Sequence, residues 1–227
     1  MSNSTQTRVR RTSVDEVFDF LRTEISESRL LPGDKISESE IAAKFGISRQ
    51  PVRDAFSRLE NLDLLLIRPQ RSTEVKRFSM REITKSRFVR SSVEAEVLRL
   101  AAANCDALGA ARLKASLELQ AAIVEIGDYD KFGEMDYEFH QILCDIGKVD
   151  FAFEVIKQEK ANVDRLCQLG LAQENRMPQL LDDHREIAKA VQEHDAEGAV
   201  KAGMKHLHRL DATIDAVSDA HADYFDP

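Results

Sequence analysis

The stretch SESEIAAKFGISRQPVRDAFSRLENLDLLLIRPQRSTEV, residues 37–75, leaves few choices of fold. Ser37 and Glu40 stand in the S-x-x-E spacing of a capping box, and Ile41, Ala42 and Phe45 then share one helical face. Gly46 ends that helix within a tight turn. Ser48 is placed to cap a second helix, with Val52, Ala55, Phe56 and Leu59 as its buried stripe and Arg49, Gln50 and Arg53 on the outer first turn. Residues 64–67 and 73–75 read as strands joined through Arg68, Pro69, Gln70, Arg71 and Ser72. The order predicts a winged helix-turn-helix.

The side chains on its outer edge suit a polyanion. Arginine offers a planar fork for guanine N7 and O6, glutamine reads adenine or bonds a phosphate, and a helix N-terminus favours phosphate oxygens. Arg49, Gln50, Arg53 and Ser48, with Ser39 on the preceding helix and Arg68, Gln70, Arg71 and Ser72 in the wing, are therefore the candidate contacts to double-stranded DNA. The bland alternative is that exposed arginines on a helical hairpin are only a solvated face. The order of cap, turn, charged helix and basic wing argues against it.

Charge separates the chain into unlike parts. Residues 1–78 carry 14 Lys and Arg against 12 Asp and Glu, whereas residues 79–227 carry 18 against 28. Only the first part suits DNA, and 227 residues exceed a typical single domain of ~100–150. Residues 1–12, with Arg8, Arg10 and Arg11, read as a flexible basic tail, and residues 13–77 as the winged module. No run of ~18 apolar residues and no signal-peptide core is evident, which predicts a cytoplasmic protein with no membrane partner. Cys105, Cys144 and Cys167 are far apart and suggest neither a disulfide framework nor a thiolate zinc site.

Outside the wing the patterning is helical. Ser13 and Glu16 form another apparent capping box, ahead of a helix expected over about 13–28 and stopped by Pro32 and Gly33. From Ser79 the expected helices are 79–104, 107–126, 128–146, 150–170, 178–193 and 195–217. The prediction is thus an all-α antiparallel six-helix bundle over 78–217, followed by a tail over 218–227.

Within this bundle Asp136 and His140 are four apart, adjacent on one helical face, where carboxylate and imidazole can share an ion. Alone, such a pair is more often a simple hydrogen bond. His184 in DHREIAKAVQEH and His206 beside Leu207 supply two further imidazoles from other helices. One Asp and three His would make an N/O ligand set open to water or an effector oxygen, suited to a divalent ion: zinc first, then nickel, manganese or iron. His194, His208 and His221 read as exposed. Arg90 can turn inward as a fork for an effector carboxylate, or pair with Glu94 at i+4; Asn162 and Arg165 are weaker candidates for the same pocket.

Taken together, these residues resemble a GntR-superfamily transcriptional regulator of the FadR subfamily with an FCD-type C-terminal domain. The resemblance runs from about Ser13 to Leu210. LLPGDKISESEIAAKFGISRQPVRDAFSRLENLDLLLIRPQRSTEV follows the family's helix, turn, recognition helix and wing; R-x-x-V-E at Arg90, D-x-x-x-H at Asp136, and the histidines at 184 and 206 fall at its C-terminal landmarks. It implies that Asp136, His140, His184 and His206 are metal ligands and that Arg90 meets an effector carboxylate. It also implies a homodimeric repressor of a catabolic operon, responding to a small organic acid on a palindromic operator. The six-helix count resembles the VanR-type branch. Ser39 stands where many members have Arg, Ser72 replaces the usual wing glycine, and KVDFAFEV replaces the asparagine-proline step after D-x-x-x-H. The competing readings are a constitutive DNA-binding protein with a purely structural dimerisation bundle and a metal-dependent hydrolase. No general base is placed by spacing, so an enzyme is not expected.

Overall fold

The computed structural model describes residues 12–68, 71–171 and 176–226, with side chains throughout except at 162, 164, 165 and 167–171. The chain forms two units: the first ends at Phe78 and takes the chain back from His221, and the second is Ser79–Ala220.

In the first unit, α1 (Ser13–Ser26) begins at Thr12. The Thr12 hydroxyl accepts from the Asp15 amide and the Asp15 carboxylate accepts from the Thr12 amide, at 3.2 and 3.1 Å. The capping box therefore lies one residue earlier than the Ser13 and Glu16 spacing predicted, because Asp15 at the third helical position is the acid that reaches back. Val17, Phe18, Leu21 and Ile25 face inward. They meet Val52, Ala55, Phe56 and Leu59 of α3 (Arg49–Asn61), with Ala42 of α2 (Glu38–Phe45) closing the core. A fully buried Phe56 or Leu59 is worth ~1.5–3 kcal/mol against leaving it in water. Gly46 holds φ +65, a left-handed position that a side chain would strain, and so sets the angle between α2 and α3.

The wing is a three-stranded sheet, not two-stranded. A strand at Lys35–Ile36 (β1) pairs antiparallel with Thr73–Val75 (β3), which also pairs with Leu65–Leu66 (β2), giving the order β1-β3-β2. The register sets Ile36 opposite Thr73 and Leu65 opposite Val75. Two residues are too few for β1 to show any alternation, which is why the sequence concealed it.

The second unit contains α4 (Met80–Asn104), α5 (Ala107–Ile126), α6 (Tyr129–Ile146), α7 (Ala152–Leu171), α8 (Met177–Gln192), α9 (Ala196–His208) and α10 (Asp211–Ala220). Local chemistry explains the starts: Ser79, Asp106, Asp128 and Asp195 each accept, through the side chain, the amide three residues on. The expected helix 195–217 is broken at Arg209 and Leu210, so the described residues of the second unit hold seven α-helices rather than six. Neither Pro nor Gly marks the break. The Arg209 carbonyl instead takes a guanidinium N–H from Arg176 at 3.3 Å, and its side chain is held by Asp183. Helix propensity yields here to a tertiary ion pair, and the count that suggested the VanR-type branch goes with it.

The bundle interior has two characters. Val97, Leu98, Ala101, Leu113, Leu143, Ile156, Ile187 and Val191 fill an apolar half. Towards the other half, the same inward faces carry Ser86, Arg90 and Glu94 on α4, Ser116 and Gln120 on α5, and Asp136 and His140 on α6, all buried. Buried polar groups in such number require partners. No helix among the described residues is long and apolar enough to cross a membrane.

Candidate functional site

The outer face of α3 carries the first candidate site. Ser48 is the N-cap residue, as its position suggested, but its hydroxyl makes no capping bond to the first turn. Arg49, Gln50 and Arg53 are exposed. Gln50 donates to Asp54 at 2.9 Å, and Arg53 Nε to Glu38 at 2.8 Å. Such exposed pairs are worth ~0–1 kcal/mol, so a phosphate or base edge displaces them at little cost. Ser39 is exposed and shares a hydrogen bond with Ser37 at 2.7 Å, while the Ser37 hydroxyl caps α2 by accepting from Glu40. In the wing, Arg68 lies 3.5 Å from Glu74, the Arg71 amide closes a turn onto the Arg68 carbonyl, and Arg71 and Ser72 are exposed. Gln70 lies outside the described residues, as do Arg8, Arg10 and Arg11 of the basic tail.

The second site is inside the bundle. Asp136, His140, His184 and His206 converge from α6, α8 and α9, each offering one ligand atom, and those atoms lie within 4.8 Å of one another. All four residues are buried. Asp136 Oδ2, His140 Nε2, His184 Nε2 and His206 Nδ1 are buried without a hydrogen-bond partner. Asp136 Oδ2 does lie 3.2 Å from Lys160 Nζ, and His184 Nε2 lies 3.2 Å from Asp136 Oδ1, as ion-pair contacts without hydrogen-bond geometry. Four neighbouring N/O atoms buried without hydrogen-bond partners are costly unless something satisfies them, and a divalent cation could do so in one step.

The surroundings orient the rings for that purpose. His140 Nδ1 lies 2.9 Å from Glu94 Oε2, and Glu94 Oε1 accepts from Arg90 Nε at 2.8 Å. His184 Nδ1 lies 2.6 Å from Gln120 Oε1, and Gln120 Nε2 donates to Ser116 at 3.2 Å. Each partner accepts, so Nδ1 carries the proton and Nε2 presents its lone pair. The His184 ring is stacked on Phe139, centroids 4.3 Å apart, with Phe132 parallel at 6.4 Å. Asp183, fully buried beside His184, takes the Arg209 guanidinium at 2.9 Å and lies 3.9 Å from His206 Nδ1.

Electrostatics agree with ligands in their binding forms. Burial pushes the Glu94 carboxyl upward, but Arg90 and His140 outweigh it and hold the group at about 2. Burial likewise opposes ionisation of Asp136, and Lys160 with His184 and His140 reverses it, leaving its pKa well below the usual carboxylate range. Burial lowers His184, and burial with the neighbouring His184 and His140 rings lowers His206 further. Carboxylate and neutral imidazole are the forms that coordinate.

The structure thus brings together the four residues named as metal ligands. Arg90 is buried against Glu94, the i+4 partner that spacing offered as its alternative, and it also lines a small cleft with Arg87, Ser91, Val163, Leu207, His208 and Leu210. The side chains of Asn162 and Arg165 lie outside the described residues. His194, His208 and His221 are exposed. Sequence reasoning missed Gln120 and Asp183. Gln120 shares an i, i+4 face with Ser116, a faint signal, and Asp183 sits in DDH beside a named ligand.

Residues 13–75 match the family of bacterial regulatory proteins, gntR family, and residues 87–209 match the FCD domain. The chain belongs to this family of transcriptional regulators, whose members bind DNA and are not enzymes. It is 31% identical over 210 residues to the HTH-type transcriptional repressor RspR of Escherichia coli K12, covering 92% of each chain. It is 30% identical over 207 residues to a probable D-xylose utilization operon transcriptional repressor of Paenarthrobacter nicotinovorans, covering 90% of each. Among solved structures, Escherichia coli McbR/YncC shares the fold with a TM-score of 0.66 at 20% identity, covering 90% of this chain and 97% of that one. A GntR regulator from Rhodococcus sp. RHA1 does so at 0.64 and 23%, covering 88% and 96%.

Proposed function

We propose that this regulator is a homodimeric, cytoplasmic repressor of a catabolic operon, in which a metal-dependent organic-acid site in residues 78–217 controls a DNA-binding module in residues 13–77. The observation that carries the reading is the set of four orphaned ligand atoms on Asp136, His140, His184 and His206, backed by acceptors that fix two of the rings. Zinc suits three imidazoles and a carboxylate best, with nickel, manganese or iron compatible with the same donors. A bound ion supplies a Lewis-acidic partner for an effector carboxylate. Arg90, lining the cleft, offers its guanidinium as the second recognition element, and its pairing with Glu94 keeps it in place.

Repression is supported by the two relatives, both repressors, and a sugar-utilisation operon by one of them. On the DNA, Arg49, Gln50 and Arg53 would enter the major groove, Ser48 and Ser39 would bond phosphates, and Arg68, Arg71 and Ser72 would follow the backbone from the wing. Two copies would read a palindrome, since two-fold symmetry in protein demands it in the operator. An exposed apolar stripe on α5, with Leu108, Leu119 and Ile126 at 70, 57 and 74% exposure, supports a self-complementary face.

The test is a titration of chelator-treated protein with Zn2+, followed by footprinting of a selected duplex with and without a panel of organic acids. One metal per chain, lost in His184→Ala, and a footprint altered by an acid only when metal is present are expected. A footprint indifferent to metal and acids would leave a constitutive DNA-binding protein.

A further inference from the structure

The chain passes between its two units twice, after Phe78 and after Ala220, and the two crossings are fastened to each other. The Phe78 amide donates to the Tyr224 carbonyl and the Asp226 amide to the Phe78 carbonyl, both at 2.8 Å. Arg77 Nε donates to the Asp223 carbonyl at 3.0 Å. Phe78 and Phe225 are buried, with ring centroids 5.6 Å apart. A tail kept only for solubility has no reason to bury its aromatic residue and pair its backbone.

This grip falls on the wing. Residues 77 and 78 follow β3 after Lys76, and Arg77 lies so close over the Pro32 and Gly33 turn that a Cβ at Gly33 would fall 2.4 Å from its Nη2. That turn is tied to β3 by hydrogen bonds from Gly33 N–H to the Val75 carbonyl and from Val75 N–H to the Asp34 carbonyl, each 2.8 Å.

At its other end the segment continues α10, which starts just past the α9 and α10 corner. His206 lies in the last turn of α9, and Arg209 at the corner is held by Asp183, the neighbour of His184. Asp211, the first residue of α10, pairs with Arg87 of α4, and Thr213, Ile214 and Val217 bury the helix. A rearrangement around His206 therefore acts on α10 at its first turn, and a packed helix transmits displacement rather than absorbing it.

We propose that residues 221–226 are a strap through which the state of the α9 and α10 corner reaches the wing. The proposal rests on the metal-centre reading above. Hydrogen–deuterium exchange on the full chain, chelated or with Zn2+ alone, tests it in the wild type, in Phe225→Ala, in the conservative Phe225→Leu, and in Asp226→Pro, which removes the amide that donates to the Phe78 carbonyl. In the wild type, Zn2+ is expected to slow exchange both at 136–140 and 184–188 and at 73–78. Phe225→Ala and Asp226→Pro should keep the first response and lose the second, with Phe225→Leu restoring it. An undiminished response at 73–78 in both disrupted variants, or none there in the wild type despite protection at 136–140, overturns the strap and leaves the metal centre standing. Absence of any Zn2+ protection at 136–140 and 184–188 overturns the metal centre, and with it the signal the strap would carry.

Discussion

His140 donates its Nδ1–H to Glu94 at 2.9 Å, so that a carboxylate already paired to Arg90 decides which nitrogen of the ring faces Asp136 and His184. Arg90, Glu94 and His140 form one chain of charge from the cleft lining to the candidate metal centre.

Glu94→Gln keeps the shape but removes the charge that favours His140 Nδ1–H. Zn2+ affinity should fall ~10–100-fold, the usual cost of losing such an outer partner. His140→Ala should fall further. Competition against a chromogenic chelator measures both, and unchanged affinity in Glu94→Gln would show that the ring needs no such support.

The pH dependence has a definite sign. His184 and His206 are lowered below the ordinary 6.5, so the unfolded chain takes up protons that the folded chain resists, and stability is lost as pH falls below 6.5. Glu94 is lowered from 4.5 to about 2, so its contribution is complete above 4.5 and disappears as pH falls from there towards 2. Chelated protein should therefore show a melting temperature that declines first below 6.5 and again below 4.5. A first decline that persists undiminished in His206→Gln would remove that histidine as its cause.

Arg49→Ala and Arg53→Ala should each cost ~1–3 kcal/mol of operator binding and relax preference at the base pairs they meet. Arg71→Ala should weaken all sequences alike and lower the salt dependence by roughly one charge, if its contact is to phosphate. Fluorescence anisotropy over a salt series separates these outcomes.

Gly33→Ala combines a backbone at φ +91 with a collision at the Arg77 guanidinium. A left-handed residue alone costs ~1–2 kcal/mol, and displacement of Arg77 adds the loss of its bond to the Asp223 carbonyl. Denaturant unfolding of Gly33→Ala should show a loss larger than that of Gly127→Ala, where a Cβ meets nothing within 4 Å.

Much of this was legible because it is local. Ser37, Asp106, Asp128 and Asp195 announce helix starts through bonds spanning three residues, whereas the cap of α1 read as Ser13 proved to be Thr12, and the α3 stripe of Val52, Ala55, Phe56 and Leu59 is a matter of period. Asp136 and His140 declare themselves the same way. Gln120 does not, since its meaning depends on His184, 64 residues away. Residues 35–36 became a strand only because β3 lay alongside, and the 195–217 helix broke because Asp183 seized Arg209.

By itself, then, the sequence determined the winged module, the places where nearly every helix begins, and the identities of the candidate ligands, because caps, turns and amphipathic periods are settled between neighbours. Tertiary structure alone decided that four such residues share one buried point, that Glu94, Gln120 and Asp183 stand behind them, and that Phe225 returns to Phe78. Those contacts join residues tens to more than a hundred positions apart, where no short-range pattern records them and only packing brings them into register.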